Sequence, residues 1–436
     1  MSTDLSPQFQ HCDDLIERAV NDRARGLEGS EILRIAGEVA AMRRRGVALA
    51  DFTFGDFAPR CFSIPTALRD RLKAVLDEGR TNYPPAVGIS ELREAILTCY
   101  SRDLGLDYPE GSVQIGSGAR PQIFAAFATI VAPGDIVVYP VPNWNNQYYA
   151  YLNRARAVAV PTRPENGFLP TAEELAPHLK VARLFCLCSP SNPTGTVFGR
   201  EQLTAICEAV VDENRRRRAV GDRPLMVLYD QVYWQLVFAG SEHLTPVGLV
   251  PEMARYTLFV DAISKGWAAT GLRVGWGVFP PWIRERTKPL IGHMGAWAPR
   301  PAQHATASLL LDQDAIRDFV VPFRTTVAER LRRIRNAFLD MKAEGLPVDS
   351  LKSQGTIYLT VRFDILGRKL PDGRTVTTDE DIRRLLLEDA AVAFLPFTAF
   401  GLPHDTGWAR LSVGAIDDDE IDRALERIRT VLGRLD

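Results

Sequence analysis

Cysteine and histidine are both scarce in this 436-residue chain, at six each. Cys12, Cys61, Cys99, Cys186, Cys188 and Cys207 stand at no spacing with histidines that suits a metal ion, so no metal site is expected. The same usage fits a reduced compartment rather than a disulfide scaffold. Cys186 and Cys188 lie in the apolar run Leu184–Cys188, where strand alternation puts both thiols on one packed face. Neither sign of charge is in excess: 52 Lys and Arg against 54 Asp and Glu leave a net charge of −2. That balance offers no field for nucleic acid or an anionic membrane. Arg215–Arg218 is the one basic run. It follows the amphipathic stretch Leu203–Val211 and reads as a solvated helix end facing the negative pole of the helix dipole. No apolar run approaches a membrane span, and Met1-Ser2-Thr3-Asp4-Leu5 lacks the basic-then-apolar order of a secretory leader. Internal repeats and low-complexity tracts are absent too. A soluble cytoplasmic protein is expected.

With 46% hydrophobic and 24% charged residues, the chain has ordinary globular composition and enough length for more than one core. A short helix is expected from Asp13 to Arg25, ended by Gly26, and a second from Glu31 to Arg45 capped by Ser30. From Ile115 to Gly277, apolar strands alternate with helical segments. The strands are Asp135–Tyr139, Ala157–Pro161, Ala182–Cys188, Leu225–Tyr229, Thr257–Val260 and Val274–Val278. This alternation predicts an α/β fold with a mostly parallel central sheet flanked by helices. After Pro299 one long helical region, Ala302–Lys342, precedes separate strands at Thr356–Val361 and Ala391–Leu395. Pro371-Asp372-Gly373 marks a hairpin within Leu366–Thr378. The layout predicts an arm and helix over 1–50 that contribute to a smaller α+β domain, a large domain over 51–325 and the small C-terminal domain over 326–436.

Several strand ends carry residues suited to chemistry. In Asp261-Ala-Ile-Ser264-Lys265-Gly-Trp-Ala-Ala-Thr-Gly271-Leu-Arg273-Val-Gly275, a lysine after a buried strand can form a Schiff base with an aldehyde. The arginine beyond the small-residue turn can hold a phosphate on the same ligand, which suggests pyridoxal 5'-phosphate (PLP). Asp230 ends another strand, with Tyr233 three residues on; alone, this pair is equally a strand-end turn with a buried tyrosine. Ser189-Pro-Ser-Asn192-Pro-Thr-Gly195 is a tight turn in its own right. Gly116-Ser-Gly118-Ala119-Arg120 opens a helix whose first N–H groups suit an anion. Trp144 is either a stacking surface or a core residue, and Gly55 is equally an ordinary turn glycine. By its surroundings alone, Arg410 in Gly407-Trp-Ala-Arg410-Leu-Ser412 is one arginine among many.

Taken in order over about Leu33 to Ser412, these runs resemble the class I/II aminotransferases of PLP fold type I, most closely their aspartate aminotransferase-like subgroup. Ser264, Lys265, Gly271, Arg273 and Gly275 match the family's lysine motif. The resemblance implies an enzyme moving an amino group between an amino acid and a 2-oxo acid, with Lys265 as the covalent and proton-moving residue. It places Asp230 at the pyridine nitrogen, Tyr233 and Asn192 at the ring 3'-oxygen, and Trp144 on the ring. Gly118, Ala119, Arg120, Ser264 and Arg273 fall at the phosphate. Arg410 and Asn192 fall at the substrate α-carboxylate and Gly55 near the substrate. Tyr83 reaches the phosphate of a neighbouring subunit, so a homodimer with shared sites is implied. The chain departs from the family pattern at Gln231, where a second acid is common, and at Ala262, where serine is common. The subgroup carries Gly-Gly-Lys where this chain has Gly118-Ala119-Arg120, and Pro-x-Trp where it has Pro142-Asn143-Trp144. Arg120 is therefore read two ways: it selects the side-chain carboxylate of aspartate or glutamate, or it faces the cofactor phosphate or solvent. Two rival functions are a lyase, decarboxylase or oxidase on the same fold, and a non-catalytic binding module. The second expects a broken site, whereas each motif position here is filled.

Overall fold

The computed structural model describes residues 5–9, 15, 18–370 and 372–435. Cys12 and residues 13, 14, 16 and 17 of the expected first helix lie outside them. Its C-terminal part is not one continuous helix with what precedes it. Asn21 is extended and its side chain accepts the Ala24 N–H at 3.0 Å, which starts a separate turn at Asp22–Arg25. The next helix, Glu31–Arg44, follows the sequence reading except at its cap. The Ser30 carbonyl accepts the N–H groups of Leu33 and Arg34, but its hydroxyl makes no capping bond.

Strands are numbered along the chain: β1 Ala50–Asp51, β2 Val113–Gly116, β3 Ile136–Val141, β4 Arg156–Pro161, β5 Ala182–Cys188, β6 Met226–Asp230, β7 Thr257–Ala262 and β8 Gly275–Val278. The last seven form one sheet in the order β2-β8-β7-β6-β5-β3-β4. Only β8 runs against its neighbours. All six residues of β7 are buried, Thr257 and Asp261 included, as expected of a strand covered on both faces. Because β2, β3, β5, β6 and β7 point the same way, their carboxyl ends share one rim. β8 points the other way, so its start, just after Arg273, falls on that rim as well.

The C-terminal part builds β9 Val348–Ser350, β10 Tyr358–Phe363, β11 Val392–Ala393, β12 Leu395–Pro396 and β13 Trp408–Ser412. β9, β10, β13 and β12 make an antiparallel sheet, and β1 pairs in parallel with β11. Phe323, Val327, Leu331, Ile334 and Phe338 bury one stripe of the helix Gln313–Ala343 in the core of this part. The single helix expected over 302–342 is two, Arg300–Leu311 and Gln313–Ala343. Asp312 between them leaves helical geometry and accepts the Ala315 N–H at 2.9 Å. The hairpin forms through an antiparallel bridge between Lys369 and Thr375, with Gly373 at φ +87°; Pro371 lies outside the described residues. The basic run also departs from expectation. It does end a helix, Arg200–Ala219, but Arg217 is buried rather than solvated, bonded to Glu213 and to the carbonyls of Leu179, Lys180 and Arg223. No helix among the described residues is long and apolar enough to cross a membrane.

Candidate active site

A cleft of about 640 Å³ opens on the shared rim, between the large sheet and the C-terminal part. The end of β6 delivers Asp230 and Tyr233, the turn after β5 Asn192, the loop after β3 Trp144, and the turn after β7 Ser264 and Lys265. The helix Ala119–Ile130 delivers Ala119 and Arg120, and Arg273 leads into β8. From the other side come Gly55, Tyr358 on β10 and Arg410 on β13. The structure thus gathers the residues singled out from sequence, with two exceptions. Gly118 shapes the cleft wall from behind, as the N-cap of Ala119–Ile130. Tyr83 is 82% exposed, lies outside the cleft, and packs edge-on against Trp297 at 5.6 Å.

Lys265 and Asp230 in the cleft both hold protons unusually. Burial pulls the Lys265 amine down to about 8, against the opposing influence of Asp56 and with help from Arg410, Arg120 and Arg273. Burial pushes the Asp230 carboxyl up to about 6, opposed by the Val232 N–H that it accepts at 3.1 Å and by the charge of Lys265. Lys265 Nζ donates to the Gly55 carbonyl and lies 5.9 Å from the Tyr233 ring centre. Opposite them, Arg410 is almost wholly buried. Its Nη1 donates to Asn192 Oδ1 at 3.0 Å and its Nη2 to the Thr53 carbonyl at 2.6 Å, while its Nε has no hydrogen-bond partner. The rings of Tyr358 and Phe400 lie 4.2 and 4.9 Å from the guanidinium. A buried cation with an unpaired donor is costly unless an anion comes to it.

The corner beside Arg273 is set by backbone. Gly118 has φ +85°, and a Cβ there would land on the Arg273 guanidinium. A Cβ on Gly275 would come within 2.7 Å of the Ala119 nitrogen. Both glycines therefore keep the N-terminus of Ala119–Ile130 open beside Arg273, a place where N–H groups and a fixed cation converge on an anion. Arg273 is held there by the carbonyls of Thr270, at 2.7 Å, and Ser117, at 3.0 Å. Arg120 is exposed at the cleft wall, its guanidinium 4.4 Å from the Trp144 ring centre. Among the described residues it makes no ion pair. A buried lysine whose amine is pulled down to about 8, an acid at a strand end, a flat indole and a helix start beside Arg273 fit the groups that PLP presents.

Comparison with known proteins agrees. The sequence profile of the family described as aminotransferase class I and II matches residues 57–428. The chain belongs to that family. Among its relatives, the aspartate/prephenate aminotransferase of Thermus thermophilus is 30% identical over 429 residues, 96% of this chain and 100% of that protein. The crystal structure of the aspartate aminotransferase from Rhizobium meliloti superposes with a TM-score of 0.87 at 27% identity, covering 96% of this chain and 99% of that one. The Thermus thermophilus aspartate aminotransferase with maleate gives a TM-score of 0.82 at 27% identity, over 95% and 99% of the two chains. The fold is fold type I, and this aminotransferase acts on amino acids and 2-oxo acids.

Sequence reasoning missed part of the aminotransferase cleft. The hydroxyl of Tyr358 lies 2.7 Å from that of Tyr233. Pairing of Thr360 with Arg410 and of Tyr358 with Ser412 puts Tyr358 and Arg410 diagonally on one face. Thr53, Asp56 and Thr270 also line the cleft, as do Ile32, Leu33 and Ala36 of the helix Glu31–Arg44. The alternation in Thr356–Val361 offered a face for Tyr358, but only the strand register shows what shares it.

Proposed function

We propose that the cleft binds PLP through the residues named above and that the enzyme prefers a dicarboxylic amino acid, aspartate or glutamate, with the matching 2-oxo acid. The observation that carries the preference is the pair of cations on one cleft. Arg410 offers a buried, unpaired Nε for an α-carboxylate, and Arg120 is a second guanidinium with no acid partner among the described residues. Arginine's planar fork suits a carboxylate at each end of such a substrate.

Bound PLP supplies an electron sink for the bonds at the substrate α-carbon. Lys265 is the residue that would hold the cofactor covalently and would move the proton at the substrate α-carbon. With its amine near 8, a useful neutral fraction is present at neutral pH. Asp230 would pair with the pyridine nitrogen, and the cation it would meet there would bring a buried carboxylate back to its charged form. Tyr233 and Asn192 would hold the 3'-oxygen, and Trp144 would cover the ring. Gly118, Ala119, Ser264 and Arg273 would hold the phosphate, and Gly55 would lie beside the substrate. Two carboxylic partners then alternate on one site, which gives ping-pong kinetics.

We further propose a cytoplasmic homodimer in which Tyr83, exposed in the single chain, reaches the phosphate site of a second copy, with domains divided at about residues 50 and 325. The test is the half-reaction of the PLP-loaded enzyme with a panel of amino acids, followed by loss of the visible band. Aspartate and glutamate should react with the highest kcat/KM. A better reaction with alanine or an aromatic amino acid would refute the preference, and release of ammonia with no need for a 2-oxo acid would refute transamination.

A further inference from the structure

The segment from Thr53 to Ala58 touches both sides of the cleft. On the C-terminal side, the Thr53 carbonyl accepts Arg410 Nη2 at 2.6 Å and the Ala58 N–H donates to the Gly414 carbonyl at 3.0 Å. On the sheet side, the Gly55 carbonyl accepts Lys265 Nζ, and Asp56 Oδ1 accepts the Thr270 hydroxyl at 2.6 Å. The same Oδ1 accepts the Phe57 N–H at 2.7 Å, so the carboxylate is fixed in direction. Thr270 sits between Lys265 and Arg273, and its carbonyl accepts Arg273 Nη1 at 2.7 Å. One threonine therefore joins the Arg273 side chain, through its carbonyl, to Asp56, through its hydroxyl. Gly55 is tight against the same assembly, since a Cβ there would come within 2.6 Å of the Tyr358 hydroxyl.

We propose that Asp56 is a positioning residue of the transamination site: its bond to Thr270 latches the Thr53–Ala58 segment to the lysine turn, and its charge is the counter-charge of the Lys265 amine. The other charged or titratable groups around that amine are Arg410 on β13, Arg120 on Ala119–Ile130, Arg273 before β8, Asp230 at the end of β6, Tyr233 after it, and Tyr358 on β10. Among these the three arginines oppose a protonated amine, whereas Asp56 favours it. Asp56 also offsets the repulsion felt by Arg273. The latch has a mechanical role as well. It sets the distance between the groups assigned to the α-carboxylate and those assigned to the cofactor, because Arg410 hangs from Thr53 in the same segment.

This inference rests on Lys265 carrying the cofactor, and its test separates the two. The parent, Asp56→Asn, Thr270→Val and Thr270→Ser proteins are loaded with PLP, and the visible band is titrated with pH. Asparagine keeps an oxygen for Thr270 but removes the charge, so the lysine nitrogen becomes harder to protonate. Its midpoint should fall by about 0.5–1 pH unit, at or below the bottom of the range for a nearby charge because Asp56 is solvent-exposed. Thr270→Val keeps the charge and loses the latch. It should raise KM for the amino acid by about 2- to 10-fold, the loss of one hydrogen bond, with a smaller fall in kcat, and Thr270→Ser should restore it. An unmoved midpoint in Asp56→Asn overturns the counter-charge, and an unchanged KM in Thr270→Val overturns the latch. If borohydride treatment of the parent leaves no cofactor on Lys265, the assignment of Lys265 itself falls and this inference falls with it.

Discussion

Replacing Arg120 by alanine separates substrate recognition from cofactor binding. A hydrogen-bonded ion pair with a substrate carboxylate is worth about 1.5–3 kcal/mol. Arg120 is exposed at the cleft wall, so screening confines it to the lower part of that range, about 1.5–2 kcal/mol. At 1.36 kcal/mol per decade, this is about a 10- to 30-fold loss in kcat/KM for aspartate and glutamate. The variant also loses the contact with Trp144 at 4.4 Å. That contact contributes about 0.5–1 kcal/mol at an exposed site and steadies the indole for every substrate, a shared loss of about 2- to 5-fold. Alanine and phenylalanine should show only the shared part. Arg120→Lys should recover some of the aspartate-specific part, since the charge returns without the fork. Single-turnover half-reactions of the PLP-loaded variants measure both components. An equal loss on all substrates would assign Arg120 to the cofactor and remove the support for a dicarboxylate preference.

Lys265→Ala should fold and hold PLP without a covalent link, shown by the lack of a borohydride-fixed adduct, and transamination should vanish; turnover in that variant would sink the assignment. Asp230→Ala should keep PLP attached to Lys265 while slowing α-proton removal severely, read as the primary deuterium isotope effect and rate of the half-reaction. A rate near the parent's would remove Asp230 from the pyridine nitrogen. Gly118→Ala forces a side chain into a φ +85° position and onto Arg273, so equilibrium dialysis should show weaker PLP binding with the fold retained by circular dichroism. Away from the cleft, burial pushes the Asp379 carboxyl up to about 6 although it accepts the Thr406 and Gly407 N–H groups. A carboxyl that is harder to ionise folded than unfolded favours the folded state at low pH, and that advantage is lost as pH rises from about 4 through about 6. Asp379→Asn keeps the acceptor oxygen without the charge, so its Tm relative to the parent should rise over that window and level off above it, by at most about 3 kcal/mol in stability. A Tm difference independent of pH would show that Asp379 does not titrate there.

The readable part of the cleft is the part built from contiguous turns. Lys265 and Arg273 share one turn, Asp230 and Tyr233 another, and Asn192 follows directly on β5. Each motif carries its own strand end with it, and the parallel sheet then needs only its common direction to bring the ends together. The same locality explains the helix errors. The periodic apolar stripe continues across Asp312, so pattern alone joins two helices that a capping side chain divides. Likewise, a run of four arginines gives no hint that Arg217 turns inward to the ends of other segments.

What pattern could not supply is the far wall, since its geometry depends on register and on loops distant in sequence. Arg410 meets Asn192 across 218 residues and Thr53 across 357. A buried guanidinium held by two fixed partners is rigid, so the proposed carboxylate site is oriented before any substrate arrives. Mobility in the Thr53–Ala58 segment would undo that orientation without touching any residue of the recognisable motifs. The Asp56–Thr270 bond is the contact of that segment that anchors to the lysine turn without using the reactive amine itself, because the Gly55 carbonyl bonds to the Lys265 nitrogen. On the proposed roles, a Lys265 nitrogen engaged in chemistry no longer holds the segment, and the threonine then carries the alignment between the lysine turn and the Arg410 side of the cleft.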